Sequence, residues 1–330
     1  MIINDTKKVV NTSLFVREPV DEIVNEILST GDRRIILNGE RGVGKSTVLR
    51  SLEYRGLGNK EETTILLYPK AEVMPAIEPT ERFTSKIFDY YFELYFAQIL
   101  LWYIRYNYPI VFSKYFKGDL ELVNGQLDIF ADFWNGNITP ENFDPSSKID
   151  SIIAGIMNKF SDLAGLNKIN LALNRFDSMN GSSKYAQEFY EKHFNLFNKV
   201  ILSTEDEHIS PFYIQSNGYK FKPINYGADK DILREIVRRR IEYYKFQEKI
   251  TLDESILTSD EFIDKLGIFN GNLKNIIKVL NDIANSVSAG HKQSDVDIDS
   301  TIRNVKIHDD EYKRAYCYGY PKFHLKEEEK

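Results

Sequence analysis

One glycine-rich turn constrains the fold of this chain more than any other stretch. Residues 39–46 read GERGVGKS and fit the pattern G-x-x-x-x-G-K-[ST], which is typical of a phosphate-binding loop. The short run RRIILN before the turn predicts a buried strand, and the run after it predicts a helix. Glycines let successive N–H groups face one point, where the N-terminus of a helix adds positive charge. We therefore expect an anion site; the alternative is a glycine-rich connection that binds nothing.

Two side chains in this turn have defined chemistry in the pattern. Lys45 is expected to bridge the β- and γ-phosphates of a nucleoside triphosphate. The Ser46 hydroxyl is expected to hold a Mg²⁺ ion that binds the same phosphate oxygens. The predicted nucleotide-binding segment comprises Gly39, Gly42, Gly44, Lys45, Ser46 and Thr47.

The composition is that of a globular protein with about two domains. The chain has 330 residues, of which 42% are hydrophobic and 28% charged, so it is long enough for two cores. Its net charge of -6 argues against a surface that is positive throughout, as wrapping nucleic acid would need. The single cysteine, Cys317, permits no internal disulfide, and the N-terminal residues lack the apolar stretch of a signal peptide. We expect a cytoplasmic protein.

Short apolar runs alternate with helical patterns over the first two thirds of the chain. After the first run come predicted strands at 63–68, 168–173, 200–202 and 219–224. This alternation predicts an α/β fold: a mostly parallel five-stranded sheet with helices on both faces and ligands at the carboxyl ends of the strands. From residue 228 onward only helical periodicity remains, which predicts a small helical domain. The predicted domains are 1–227, 228–290 and a C-terminal extension at 291–330.

An aromatic-rich segment lies between the second and third predicted strands. Only 11 uncharged residues separate Glu93 from Arg105, fewer than the roughly 20 that a membrane-spanning helix needs. We expect no membrane span, and a mostly helical insertion at 83–165 that packs against the α/β domain. The alternative is an exposed helix that binds a protein partner, mediates self-association or lies on a membrane surface.

The turn after the third predicted strand contains the candidate catalytic residues. A phosphate-binding loop needs an acid near such a strand end, to steady Mg²⁺ and to orient the attacking water. The first residue here is instead Asn174, which can hydrogen-bond to metal-bound water but cannot accept a proton. The first carboxylate is Asp177. We expect Asp177 to take the Mg²⁺-side or water-orienting role; the alternative is a helix N-cap.

Taken in order, these signals resemble the P-loop NTPases of the AAA+ and STAND divisions, in particular the initiator-, NACHT- and KAP-type ATPases. Residues 174–178, NRFDS, are similar to their second acidic motif hhhh-D-x-h-D-E, with Asn for the first Asp and Ser for the final Glu. The resemblance covers residues 14–288 apart from the insertion. It implies ATP as the nucleotide, and the sequence has no evident guanine-specific N-K-x-D stretch.

The resemblance also implies roles for four further residues. Arg17, within FVRE at 15–18, looks like the h-x-R-E element that lies near the adenine. Ser203 and Thr204 look like sensor 1, a polar group that detects the γ-phosphate. Lys274, within GNLK at 271–274, stands where the sensor 2 arginine of a helical lid is usual.

Two departures from the family pattern put hydrolysis in doubt. The family's catalytic glutamate has no evident counterpart, and no arginine lies between Arg175 and Arg234, where a ring ATPase places the finger that completes a neighbour's site. We therefore expect a weakened ATPase that acts as a slow nucleotide-dependent switch driving or regulating a partner. One alternative is a nucleic-acid-associated ATPase, either a loader or a defence-system component. The other is a nucleotide-binding scaffold that does not hydrolyse ATP.

Four arginines in the predicted helical domain bear on the nucleic-acid alternative: Arg234, Arg238, Arg239 and Arg240. Arranged along one helix, they could contact backbone phosphates of DNA or RNA. The alternative is a solvated helix face on which Glu235 and Glu242 pair with the arginines.

Overall fold

The computed structural model describes residues 16–57, 59–67, 85–135, 137, 152–174, 191–204, 218–225 and 229–307. The strands are β1 (Arg34–Asn38), β2 (Thr63–Leu67), β3 (Ile169–Leu173), β4 (Val200–Thr204) and β5 (Lys220–Pro223). The helices are α1 (Arg17–Ser29), α2 (Lys45–Gly56), α3 (Ser85–Asn107), α4 (Pro109–Tyr115), α5 (Lys117–Trp134), α6 (Ile152–Ala164), α7 (Lys230–Tyr243), α8 (Glu254–Leu257), α9 (Asp260–Leu266), α10 (Leu273–Ser288) and α11 (298–307).

The five strands form one all-parallel sheet in the order β2-β3-β4-β1-β5. β2 pairs with β3 in a register that runs from Thr63 opposite Ile169 to Leu67 opposite Leu173. Parallel neighbours cannot be joined by tight hairpins, so each pair needs a crossover connection, and α3 to α6 lie in the connection between β2 and β3. The predicted α/β class and five-stranded parallel sheet are confirmed. β1, the strand that precedes the glycine-rich turn, lies between β4 and β5.

The burial of the strands explains why they could be recognised in the sequence. Every residue of β2, β3 and β4 is buried, and so are four of the five residues of β1. A strand covered on both faces is a continuous apolar run, without the alternation of a half-exposed strand. β5 is mostly exposed and ends at Pro223, which suits a sheet edge because proline cannot donate to a further ladder.

Helices α3 to α6, between β2 and β3, build an aromatic core against the sheet. Fully buried rings in this core include Phe92, Phe96, Phe116, Phe133 and Phe160. Tyr103 of α3 donates a hydrogen bond of 3.2 Å to the carbonyl of Thr64 in β2. The described part of the aromatic segment is therefore helical and packed on the sheet. Among the described helices, α3 included, none has the length and apolarity to cross a bilayer.

Glu93 of α3 is a carboxylate within this core, with 2% of its surface exposed. One oxygen accepts the N–H of Ile153 at 2.9 Å, and the other lies 3.0 Å from Nε2 of His193. Ile153 belongs to the first turn of α6, where backbone N–H groups lack partners within the helix. A buried carboxylate is costly unless it is paired, so Glu93 constrains how α3 packs against α6 and against His193.

Replacing Glu93 by alanine is expected to destabilise the fold by about 3 kcal/mol, because it removes the acceptor for both the Ile153 amide and the His193 ring. Urea unfolding followed by circular dichroism measures the change. Asp89→Ala on the same helix is the matched control, since the Asp89–Lys192 pair at 3.1 Å is solvent-exposed. Its loss should cost less than about 1 kcal/mol. Equal losses in the two variants would contradict the role given to Glu93.

Helices α7 to α10 surround a second core of their own. Its buried members include Leu233, Val237, Ile241, Phe262, Leu266, Ile276, Leu280 and Ile283. The described residues divide into two compact units. One contains Thr30–Leu37 and Leu52–Lys222, and the other contains Asn38–Ser51 together with residues 16–29 and 223–307. The glycine-rich turn thus belongs to the same unit as the C-terminal helices. The boundaries placed at 227/228 and 290/291 from the sequence stay predictions.

Candidate functional site

The glycine-rich turn leaves the carboxyl end of β1 and leads directly into α2. Gly39, Gly42 and Gly44 have φ angles of +149°, +89° and +112°. L-amino acids with a Cβ atom rarely adopt such angles, so the path of the turn depends on glycine at these positions. The side-chain oxygen of Asn38, the last residue of β1, accepts the Gly39 N–H at 2.6 Å. The turn is therefore anchored at its start to the end of the strand.

Lys45 folds back over the turn. Its ammonium group donates hydrogen bonds to the main-chain carbonyls of Gly39 and Glu40, the latter at 2.9 Å. Only 9% of the residue is exposed. Ser46 and Thr47 follow in the first turn of α2, and both are half-buried. That first turn contains no acidic residue, so no carboxylate within it offsets the positive end of the helix.

The N-terminus of α10 packs against the turn at Gly42. The N–H of Leu273, the first residue of α10, donates to the Gly42 carbonyl at 3.0 Å. Asn272 is the N-cap of α10, and its side-chain oxygen accepts the Asn275 N–H at 3.3 Å. The same Asn272 side chain lies so close to Gly42 that a Cβ atom there would overlap it. Lys274, the predicted γ-phosphate contact, comes next in α10 and is exposed.

A second group of predicted residues lies at the carboxyl ends of β3 and β4. The Ser203 hydroxyl donates a hydrogen bond of 2.8 Å to the side-chain oxygen of Asn174. Both residues are buried, and so is Thr204, the last residue of β4. An Asn amide has one acceptor oxygen and an NH₂ group, so the hydrogen bond fixes the orientation of the amide. The position expected to hold an acid thus carries an oriented neutral group.

Two predicted residues cannot be placed. Asp177 lies outside the described residues. Arg17 is the first residue of α1, but its side chain also lies outside the described part of the chain. Their roles as the acid and as the adenine contact stay predictions. Within the described ranges, no three His, Cys, Asp or Glu side chains converge in a way that could hold a metal ion.

The four arginines proposed for nucleic-acid contact lie on α7 and are largely engaged. Ion pairs join Arg234 to Asp231 and Asp260, Arg238 to Glu235 and Glu254, and Arg239 to Glu235. Hydrogen bonds from Arg239 and then from Arg238 hold the pKa of Glu235 below its ordinary value. A phosphate would have to compete with these carboxylates, so the structure favours the ion-paired helix face. Nucleic-acid binding at this helix stays a prediction.

Comparison with known proteins identifies no family for this chain. The sequence matches no protein-family model and no curated protein.

Sequence reasoning missed the contact between Asn272 and the turn. An Asn directly before a periodic apolar helix is an N-cap signal, which the GNLK stretch does contain. Nothing local to that stretch indicates that the capping side chain meets Gly42. The hydrogen bond between Ser203 and Asn174 was also missed, although parallel pairing of β3 with β4 brings their ends together.

Gly39→Ala is expected to destabilise the protein by about 2 kcal/mol or more, because the left-handed backbone becomes strained and the new Cβ overlaps the carbonyl of Ile224. Thermal and urea unfolding measure the loss. Gly125→Ala is the matched control, since this glycine lies within α5 with open space around it. Alanine there should stabilise by about 0.5 to 1 kcal/mol. A neutral Gly39→Ala variant would show that the turn can relax around a side chain.

Proposed function

We propose that this protein binds ATP with Mg²⁺ at the turn 39–46 and acts as a slow nucleotide-dependent switch that drives or regulates a partner. One observation carries the proposal: three glycines with left-handed backbone wrap the start of α2 while Lys45 lies over them. Such a turn presents backbone N–H groups, a helix N-terminus and an ammonium group to a single anion. The polyphosphate of a nucleotide is the anion with the length and charge to meet all three.

The contacts of Lys45 support this assignment. Its ammonium donates to the main-chain carbonyls of Gly39 and Glu40, and charged phosphate oxygens are stronger acceptors than carbonyls. The lysine therefore lies where it can exchange these two carbonyls for the oxygens of a bound triphosphate. The first turn of α2 has no carboxylate that would repel the ligand. The choice of ATP follows from the resemblance to AAA+ and STAND ATPases and from the lack of a guanine-specific stretch.

In this proposal Ser46 holds the Mg²⁺ ion and hydrolysis is weak. Efficient phosphoryl transfer to water needs a group that orients the water and takes up its proton. Asn174 offers a neutral amide already bonded to Ser203, and an amide cannot take up a proton. The sequence leaves Asp177 as the residue to supply this chemistry. Because hydrolysis is slow, the nucleotide-bound state persists long enough to act as a signal.

The link between the turn and α10 supplies a means of signalling. Gly42 accepts a backbone hydrogen bond from Leu273 and is in contact with the Asn272 cap, so a shift of the turn must alter the start of α10. α10 in turn shares a core with α7 and α9. A ligand that binds one arrangement of the turn better than another would therefore bias the arrangement of these helices.

Lys45→Ala is expected to weaken Mg·ATP binding by about 10- to 100-fold, the value of one or two hydrogen bonds between charged groups. Isothermal titration calorimetry measures the affinity. Lys60→Ala removes the same charge from an exposed position and should leave binding unchanged. Failure of the wild-type protein to bind Mg·ATP at millimolar concentration would refute the proposal.

Asp177→Ala is expected to retain ATP binding and to abolish phosphate release, which identifies a working ATPase with Asp177 as its acid. A coupled phosphate assay over hours measures the turnover. Tight ATP binding by the wild-type protein with no phosphate release would instead identify the non-hydrolysing scaffold. Release that is unaffected by Asp177→Ala would show that another residue supplies the acid.

A further inference from the structure

The corner between α3 and α4, residues 102–117, exposes large apolar side chains. Trp102 is 48% exposed, Tyr106 71% and Ile110 82%. Trp102 and Tyr106 lie one helical turn apart at the end of α3, and Ile110 lies in the first turn of α4, across the short break at Tyr108. Exposed apolar groups that adjoin one another mark interaction surfaces more often than isolated ones do.

The charges of the corner are of one sign. Between Glu93 and Asp119 the sequence contains no carboxylate, and its only charged side chains are Arg105, Lys114 and Lys117. Among the described residues, neither Arg105 nor Lys114 forms an ion pair. The guanidinium carbon of Arg105 lies 4.7 Å from the centre of the Trp102 ring. The ammonium nitrogen of Lys114 lies 5.1 Å from the centre of the Tyr115 ring. In a chain with a net charge of -6, the corner is thus a local concentration of positive charge.

An open groove of about 440 Å³ lies between the corner and the start of α5. Arg105 and Lys117 line it, with Phe112 and Leu120 among its apolar walls. Glu121 of α5 also lines the groove. One of its carboxylate oxygens lies 3.9 Å from the ammonium nitrogen of Lys117, and both side chains are exposed. Among the described residues, only one of the three cations is thus offset by a neighbouring carboxylate, which leaves the corner with an excess of positive charge.

We infer that the α3–α4 corner docks on the surface of a bilayer that contains anionic lipids. Tryptophan and tyrosine favour the headgroup region of a membrane. A neighbouring aliphatic side chain such as Ile110 can insert at the boundary between the headgroups and the lipid acyl chains. Lysine and arginine beside them meet anionic headgroups. Protein interfaces are enriched in tryptophan, tyrosine and arginine but depleted in lysine, and two of the three cations here are lysines, which favours a lipid surface over a protein partner. Nucleotide binding at the turn 39–46 is not needed for this inference.

Co-sedimentation of the full chain with vesicles tests the inference. The protein is expected to bind vesicles of mixed phosphatidylcholine and phosphatidylserine at low ionic strength, to bind pure phosphatidylcholine weakly, and to dissociate as salt is added. Changing Arg105, Lys114 and Lys117 together to glutamine should weaken binding about 100-fold, at roughly fivefold for each cation. Ile110→Ser should weaken it about tenfold by removing the inserted side chain.

Matched variants separate the corner from general charge and hydrophobicity. Lys245, Lys278 and Lys292 are exposed cations of the C-terminal helices and their surroundings, and their joint change to glutamine alters net charge equally. Ile268→Ser removes an exposed isoleucine from the same region, where Ile268 is 45% exposed. Both control variants should bind anionic vesicles as the wild type does, and thermal unfolding confirms that all variants fold.

Three results would overturn the inference. The first is no binding to anionic vesicles at low ionic strength. The second is binding that the control variants reduce as much as the corner variants do. The third is a protein that sedimentation velocity finds dimeric and that Ile110→Ser makes monomeric, which would identify the corner as an interface between two copies of the chain.

Discussion

The left-handed backbone of Gly39, Gly42 and Gly44 is the constraint on which the candidate site depends. Angles of +149°, +89° and +112° turn the chain sharply at the end of β1 and start α2 within a few residues. Because no side chain occupies the inside of this turn, Lys45 can lie over it and the Asn272 cap can approach Gly42. Any residue with a Cβ atom at Gly39 or Gly42 would disturb both the turn and its neighbours. The proposed anion site therefore depends on the main chain more than on side chains.

The two groups of candidate residues differ in what they can do. The turn, with an ammonium group and the positive end of α2, is suited to bind a polyphosphate. The Asn174–Ser203 pair is buried, oriented and neutral, so it can direct a polar group but cannot take up a proton. The proposed switch needs a nucleotide that is bound tightly and hydrolysed slowly, whereas a fast motor needs rapid hydrolysis. This contrast, more than either group alone, favours a nucleotide-dependent switch.

The aromatic segment between β2 and β3 serves two purposes on its two sides. Its inner side buries Phe92, Phe96 and Phe160 and encloses Glu93, whose carboxylate satisfies a helix N-terminus and a histidine. Its outer side, at the α3–α4 corner, exposes Trp102 and Ile110 near Arg105 and Lys114, which form no ion pair with any described residue. The same high aromatic content therefore reflects both a core and an exposed surface. Amino-acid composition could not distinguish the core from the exposed surface, because it does not show which side chains point inward and which point to solvent.

The sequence by itself determined the α/β class, the five-stranded parallel sheet and the helical nature of residues 85–134, since continuous apolar runs and 3.6-residue periodicity are local signals. It also located the turn 39–46, because the glycines and the lysine that define the motif lie within a single stretch of eight residues. Only the tertiary structure decided the strand order, the contact of Asn272 with Gly42, the ion pairs of Arg234 with Asp260 and of Arg238 with Glu254, and the buried role of Glu93. Each of these joins residues distant in the chain, whose meeting depends on how whole helices and strands pack.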